Sequence, residues 1–156
     1  MKAKDKLLPH LAYRAVRPDD IEGLDLMDCF QSDVNAKSRT MDCIFTYGFL
    51  AYSILDPQGH VIAVMGATPL HRNSIEVWAL VDKKAVKQSK YYSHATKFLI
   101  EHNFDMLNMV RMQVIIKADQ KWADRWAKFL GFEREGVLRR YGEEAEDHVI
   151  YAKVRE

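Results

Sequence analysis

Residues 126–136 read Trp-Ala-Lys-Phe-Leu-Gly-Phe-Glu-Arg-Glu-Gly, and this stretch decides the fold because it predicts a helix that turns directly into a strand. Apolar residues recur at helical spacing before the turn; they are Trp122, Ala123, Trp126, Phe129 and Leu130. Gly131 follows at the position of a left-handed C-cap, which glycine adopts at little cost. The run from Phe132 through Leu138 is extended. We therefore expect a helix, a glycine cap and a strand in succession.

The bulk composition predicts an ordinary globular protein with one domain over 11–156 after a flexible basic leader over 1–10. The 156 residues are 48% hydrophobic and 29% charged, with a net charge of +1, which gives no case for nucleic acid or membrane partners. No apolar run approaches the ~20 residues of a membrane span. Two cysteines, Cys29 and Cys43, predict reduced thiols and a cytoplasmic location. No metal-ligand spacing is present.

The first elements are a strand at Tyr13–Val16 and a helix that begins after Asp19 or Asp20 as the N-cap, with Pro18 just outside. The predicted apolar face of this helix carries Ile21, Leu24, Met27 and Phe30. A loop with a short second helix is expected over 31–47.

Hydrophobic patterning predicts the remaining elements in turn. The expected strands are Phe49–Leu55, His60–Thr68, Ser74–Val81, Val110–Ile116, Phe132–Leu138 and His148–Lys153, the turns are Asp56–Gly59 and Pro69–Asn73, and a helix covers Tyr91–His102. Asp119 is the expected N-cap of the tryptophan-containing helix.

This pattern resembles the GNAT superfamily of acyl-CoA-dependent N-acyltransferases. The matching residues are Leu130, Gly131, Phe132, Glu133, Gly136, Tyr141, Asp147 and Tyr151, together with the opening Tyr13-Arg-x-x-x-Pro-x-Asp-x-x-x-Leu24. The resemblance covers nearly the whole chain. It implies a mixed α/β fold in which helices flank a mostly antiparallel central sheet with one splayed, parallel strand pair.

The resemblance also implies that acetyl-CoA is bound. Its pantetheine arm would pair with backbone near Ala79, Leu80 and Val81, and its pyrophosphate would lie on a glycine-rich loop at a helix N-terminus. From Asp82 to Thr96 this chain has no glycine. The best register therefore places Lys90, Ser93, His94 and Ala95 on the motif; an earlier register uses Lys87 and Gln88. Gln120 stands where relatives carry a cofactor-binding Asn, and Trp126 is a candidate wall of the cleft.

For catalysis, the resemblance implies a direct attack by the amine on the thioester through a tetrahedral intermediate. Glu76 stands at the position of the general base. Relatives often carry a tyrosine acid four residues before the glycine of Leu-Gly-Phe, and here Ala127 occupies that position.

Three functions stay open at this point. The first is an N-acetyltransferase with an amine acceptor, either a small molecule or a protein N-terminus or lysine. The second is a catalytically degenerate assembly or binding protein, because Tyr47-Gly48-Phe49, the glycine-free segment and Phe129-Leu130-Gly131 also resemble GNAT-like internal virion proteins of short-tailed bacteriophages. Its partners would be virion proteins and its location the virion. The third is an acyl-CoA-binding regulator. A homodimer is compatible with each.

Overall fold

A computed structural model of the chain describes residues 12–27 and 36–156. The strands are β1 (Ala12–Ala15), β2 (Ala51–Leu55), β3 (Val61–His71), β4 (Ser74–Val81), β5 (Arg111–Lys117), β6 (Glu133–Leu138) and β7 (His148–Val154). The helices are α1 (Pro18–Glu22), α2 (Ala36–Met41), α3 (Ser89–Met106) and α4 (Ala123–Phe129), with a π-helical turn over Asp42–Thr46 and a 3₁₀ helix over Lys83–Gln88. The predicted order of elements is confirmed.

The seven strands form one sheet in the order β1-β2-β3-β4-β5-β7-β6. The pairs β1–β2, β2–β3, β5–β7 and β6–β7 are antiparallel, whereas β4–β5 is parallel. This mixed α/β architecture, with one parallel pair in a mostly antiparallel sheet, confirms the predicted fold class. Among the described residues, no helix is long and apolar enough to cross a membrane.

The contacts of the chain divide it into two compact units, and each is described by itself. The first contains Met1–Gly66 and Ala79–Ala95, and the second contains Ala67–Trp78 and Thr96–Glu156. The predicted leader over 1–10 lies outside the described residues. The single domain expected over 11–156 stays a prediction.

A partly buried ion pair ties the first elements of the first unit together. Arg14 Nη1 and Nη2 donate to the Asp20 carboxylate at 2.6 and 2.8 Å, and Ser53 Oγ and the Arg17 N–H donate to it at 2.8 Å each. Burial opposes ionisation of Asp20, but the hydrogen bonds from Arg14, Arg17 and Ser53 outweigh it and lower the pKa of Asp20 to about 2. One carboxylate thereby connects β1, the start of α1 and β2.

The predicted first helix is wrong in its length and its cap. α1 has only five residues, Arg17 is its N-cap and Pro18 is its first residue, a position where the missing N–H of proline costs nothing. The chain then leaves the helix at Gly23. The next segment, Leu24–Met27, forms a β-bridge instead: Leu26 lies opposite Asp82. Tertiary hydrogen bonding therefore overrides the helical spacing of Leu24 and Met27; Phe30 lies outside the described residues.

The predicted turn at Pro69–Asn73 is also wrong for most of its length. β3 continues through Pro69 to His71, so the turn before β4 is confined to Arg72 and Asn73. The register of β2 on β3 ends at Gly66. Pro69 lies beyond that point, where a residue without an N–H is tolerated more easily. β4 has the predicted bounds, and the turn at Asp56–Gly59 is confirmed.

In the second unit, the predicted glycine cap is confirmed. Gly131 has φ +90°, its N–H donates to Lys128 O at 3.0 Å, and the Phe132 N–H donates to Ala127 O at 2.9 Å. These two bonds form a Schellman motif that satisfies the last carbonyl groups of α4. The side chain of Phe132 is then 2% exposed. The cap therefore places the first residue after α4 in the core.

The apolar face of α4 differs from the predicted one. Ala123, Ala127 and Leu130 are buried, whereas Trp122 is 41% exposed and is the N-cap residue. The prediction of Asp119 as the N-cap is therefore wrong. The helix contacts β6, and its buried small residues Ala123 and Ala127 allow a short helix to pack closely. Trp126 is half-buried.

We expect the substitution Gly131→Ala to lower the free energy of unfolding by about 1 kcal/mol, because alanine is strained at a positive φ. Chemical denaturation of the purified protein measures the change. Gly136→Ala is the matched control, since Gly136 does not have a positive φ and a Cβ there meets nothing within 4 Å. Equal stability of the two variants would contradict the importance of the cap.

Candidate active site

The parallel pairing of β4 with β5 is short, and an acidic residue lies at its end. The register joins Ser74 to Arg111, Ile75 to Met112 and Glu76 to Gln113. Both strands continue, β4 to Val81 and β5 to Lys117. Glu76 is half-buried, and its carboxylate Oε2 accepts a hydrogen bond from Gln113 Nε2 at 2.8 Å. A carboxylate oxygen can accept a proton, and the role of Glu76 as a general base stays a prediction.

A second carboxylate in the same unit is neutralised by an arginine. Arg111 Nη1 and Nη2 donate to both oxygens of Glu135 at 2.9 and 2.6 Å, and Arg111 Nε donates to Gln113 Oε1 at 3.1 Å. The bidentate hydrogen bond from Arg111 holds the pKa of Glu135 below its ordinary value, and the same bond raises the pKa of Arg111. Glu135 is therefore an ionised partner of Arg111 rather than a candidate base.

The end of β4 belongs to the first unit, and part of its backbone is already bonded within the chain. Ala79 is half-buried, while Leu80 and Val81 are buried. The Asp82 N–H donates to Ile62 O on β3, so the Val81 carbonyl of the same trans peptide group points to the opposite side. On that side Val81 O accepts the Met27 N–H at 2.9 Å. Ala79, Leu80 and Val81 are the residues expected beside pantetheine. The carbonyl group of Val81 is already bonded to Met27.

The turn that follows β4 is held by the buried carboxylate of Asp82. Its oxygens accept the Asp25 N–H and the Lys84 N–H, both at 2.8 Å, and the side chain is 1% exposed. The Lys83 N–H donates to Asp25 O at 2.8 Å. The first backbone donors after β4 are therefore satisfied by protein groups, as expected for a capped helix start.

The structure places the other candidate phosphate contacts inside helices. The 3₁₀ helix ends at Gln88 and α3 begins at Ser89, so Lys90, Ser93, His94 and Ala95 all lie within α3. The predicted helix over Tyr91–His102 is thus extended at both ends. From its fifth residue on, an α-helix uses each N–H for its own ladder. Ser93 can therefore offer its hydroxyl but not its N–H.

Gln120 and Trp126 lie in the second unit, close to one another in sequence. Gln120 Nε2 donates to Asp119 Oδ1 at 3.0 Å, and Trp122 Nε1 donates to Gln120 Oε1 at 2.9 Å. The rings of Trp122 and Trp126 meet edge to face, with centroids 5.7 Å apart. Both ends of the Gln120 amide are thus used locally, and the roles of Gln120 and Trp126 toward a cofactor stay predictions.

Neither Ala127 nor the buried tyrosine of β7 is set up as a general acid. Ala127 is fully buried. Tyr151 is 3% exposed and its hydroxyl donates to Asp124 Oδ1 at 2.5 Å. Burial, together with this hydrogen bond, raises the pKa of Tyr151 to about 12. A phenol with this pKa and this partner is a poor proton donor for a thiolate.

No group of three His, Cys, Asp or Glu side chains within residues 12–27 and 36–156 could hold a metal ion. Sequence reasoning selected Glu76 but missed Gln113, which donates a hydrogen bond to it, and Arg111, which donates to Gln113. The only available signal was the alternation of polar residues at Arg111 and Gln113 in an otherwise apolar strand. It places them on one face of β5 but does not identify their partner.

No family model and no curated protein matches this sequence. Solved structures do match. An acetyltransferase of the GNAT family from Bacillus anthracis is 16% identical, with 92% of this chain and 94% of that chain covered and a TM-score of 0.73. A chimeric spermidine N-acetyltransferase of Vibrio cholerae is 13% identical, with 92% of this chain and 95% of that chain covered and a TM-score of 0.76. A ribosomal-protein-alanine N-acetyltransferase from Brucella melitensis is 17% identical, with 93% of this chain and 100% of that chain covered and a TM-score of 0.70. The chain therefore has the GNAT fold.

Proposed function

We propose that this chain is an N-acetyltransferase that transfers an acetyl group from acetyl-CoA to a primary amine. The observation that carries the proposal is the carboxylate of Glu76 at the last residue pair of the parallel β4–β5 pairing, within a GNAT fold. Two proteins of similar structure are named for the N-acetylation of spermidine and of a ribosomal-protein alanine, and both names specify amines. We therefore infer an amine acceptor, either a small molecule or a protein N-terminus or lysine.

Two lysines fit the phosphate groups of acetyl-CoA. Lys87 and Lys90 are exposed, are three residues apart at the junction of the 3₁₀ helix and α3, and have no ion-pair partner among the described residues. At this spacing they share one side of the helix start. Their charges would neutralise the phosphate groups, which the glycine-rich loop implied by the resemblance holds through backbone N–H groups. The start of α3 at Ser89 favours the register with Lys87 and Gln88, with Lys90 one turn further on.

Other cofactor contacts are proposed with narrower roles. Ser93 and His94 would act through their side chains, since their backbone groups belong to α3, while the buried Ala95 would only pack beneath the helix start. Ala79 and Leu80 would offer backbone groups to the pantetheine arm. Val81 would contribute only after its hydrogen bond to Met27 opens.

Acetyl-CoA supplies a thioester carbonyl that an amine can attack. Glu76 accepts the proton that the amine releases, either directly or through one water molecule. Ala127 has no proton to give, and Tyr151 is held by Asp124, so water is the proton donor on the side of the leaving group. We expect a direct transfer that is slow, because position 127 lacks the tyrosine acid and Tyr151 is held by Asp124.

Isothermal titration of the purified protein with acetyl-CoA and CoA tests the proposal. We expect binding with a micromolar dissociation constant, followed by release of free thiol when spermidine or a peptide with an N-terminal alanine is added. Turnover with any amine supports the proposal. The absence of binding at millimolar acetyl-CoA would overturn it, and binding without thiol release from any amine would indicate a regulator.

We expect the double substitution Lys87→Ala/Lys90→Ala to weaken acetyl-CoA binding about tenfold, since each exposed ion pair contributes roughly 0.5–1 kcal/mol. The remaining affinity should depend less on salt than that of the parent protein. The control, Arg72→Ala/Lys128→Ala, removes the same charge from exposed positions elsewhere. Equal loss of affinity in both double variants would mean that net charge, not these two lysines, attracts the phosphates.

A further inference from the structure

We propose that Gln113 is a positioning residue that aims the carboxylate of Glu76, and that Glu135 and Arg111 fix the orientation of Gln113. This inference rests on the proposed function, in which Glu76 is the base. It is drawn from four side chains that form one continuous series of hydrogen bonds across β4, β5 and β6, in the order Glu76, Gln113, Arg111 and Glu135.

The amide of Gln113 can point only one way. Its Oε1 accepts from Arg111 Nε, a group that can only donate, so its Nε2 must face Glu76. A flipped amide would set a donor against Arg111 and an acceptor against the carboxylate. Arg111 is in turn fixed by the two hydrogen bonds from its guanidinium to Glu135. The Glu76 carboxylate is therefore held through one oxygen, Oε2.

The other oxygen of Glu76 stays available to a substrate. Among residues 12–27 and 36–156, no other hydrogen bond or ion pair reaches this carboxylate. Its one partner is a neutral amide, which orients a carboxylate without neutralising it. Direct contact with Arg111 would instead form an ion pair and make Glu76 a weaker base. Glu135 prevents this by occupying the guanidinium.

A β-bulge positions the side chain of Glu135 for its contact with Arg111. The register of β6 on β7 joins Arg134 to Tyr151 and Gly136 to Ile150, so Glu135 is the extra residue between two adjacent pairs. A bulge redirects the side chain of its extra residue. The carboxylate of Glu135 thereby reaches Arg111, although β7 separates β6 from β5 in the sheet.

The test compares Gln113→Glu, which keeps the shape and the acceptor toward Arg111 but loses the donor toward Glu76, with Gln113→Leu, which loses both. We expect kcat to fall about tenfold in each, because a small misplacement of a reacting group is costly. The KM for the amine and the dissociation constant of acetyl-CoA should stay within about twofold of the parent values, as aiming a base affects turnover rather than binding. Gln58→Glu, an exposed position in the β2–β3 turn, is the control for added charge.

A double-mutant cycle separates aiming from general damage to the fold. In a Glu76→Gln background, Gln113→Leu is expected to change kcat less than twofold, since there is no base left to aim. An equal loss in both backgrounds would show that Gln113 is merely structural and overturn the inference. If Glu76→Gln is itself fully active, it is the base assignment in the proposed function that fails.

A crystal structure of Gln113→Leu gives a readout that does not depend on turnover. The carboxylate of Glu76 is expected to leave its present position, either toward Arg111 or toward solvent. A carboxylate that stays in place would overturn the positioning role, whether or not the protein transfers acetyl groups. Should Gln113→Glu fail to fold, this variant and its kinetics still decide the question.

Discussion

Replacing Asp20 with alanine is expected to lower the free energy of unfolding by about 3 kcal/mol, the larger of the stability effects that we predict. The Asp20 side chain is 8% exposed and accepts four hydrogen bonds, from Arg14, Arg17 and Ser53. Removing the carboxylate leaves the hydroxyl of Ser53, a residue that is fully buried, without its acceptor. Urea denaturation of the purified protein measures the loss.

The same carboxylate makes stability depend on pH in an acidic window. The pKa of Asp20 is about 2 in the folded chain against an ordinary value of 3.8. A group whose folded pKa is lowered stabilises the fold above its unfolded pKa and loses this contribution as the pH falls toward the folded pKa. We therefore expect about 2 kcal/mol of the difference between the parent protein and Asp20→Asn to disappear between about pH 5 and pH 2.

Asp19→Ala is the control for these experiments, because Asp19 is the exposed neighbour of Asp20 on the same short helix. Its substitution should change stability by less than about 0.5 kcal/mol. If Asp19→Ala and Asp20→Ala were equally stable, the ion pair with Arg14 would contribute nothing, and the network could not be what joins β1, α1 and β2.

Glu76→Gln is expected to lower kcat for acetyl transfer about 100-fold, because a positioned general base typically contributes two or more orders of magnitude. The amide keeps the size of the side chain but cannot accept a proton from the amine. Binding of acetyl-CoA should change less than twofold. Steady-state release of thiol gives kcat, and isothermal titration gives the affinity.

Glu133→Gln is the matched control, since it removes the same charge from an exposed position on β6. It should retain full activity. A Glu76→Gln protein that turns over at the parent rate would remove Glu76 from the mechanism and leave water as the base. A loss of acetyl-CoA affinity equal to the loss of kcat would instead place Glu76 in the binding of acetyl-CoA.

The parts of the fold that the sequence predicts are those fixed by neighbouring residues. Gly131 could be assigned because the helix before it and the strand after it are both evident within a few positions, and only a left-handed residue joins them. The bounds of β4 follow equally from its run of β-branched and aromatic residues.

The parts that could not be predicted depend on partners far along the chain. α1 ends early because the segment after it bonds to Val81 and Lys83, and the Asp25–Asp82 hydrogen bond joins residues 57 positions apart. The site shows the same limit. Resemblance indicated Glu76, but Gln113 faces it only through the register of two parallel strands, which periodicity does not specify.

The bulge at Glu135 also affects the edge of the sheet that β6 forms. β6 is the last strand in the order, so no strand within residues 12–27 and 36–156 pairs with the backbone groups along its outer side. An exposed edge strand can pair with a strand of another copy of the chain and so start aggregation. Here it carries the exposed, charged side chains of Glu133, Arg134 and Glu135, and the extra residue bends the strand away from a straight template. The bulge that places Glu135 against Arg111 is thus also expected to hinder self-association through this strand.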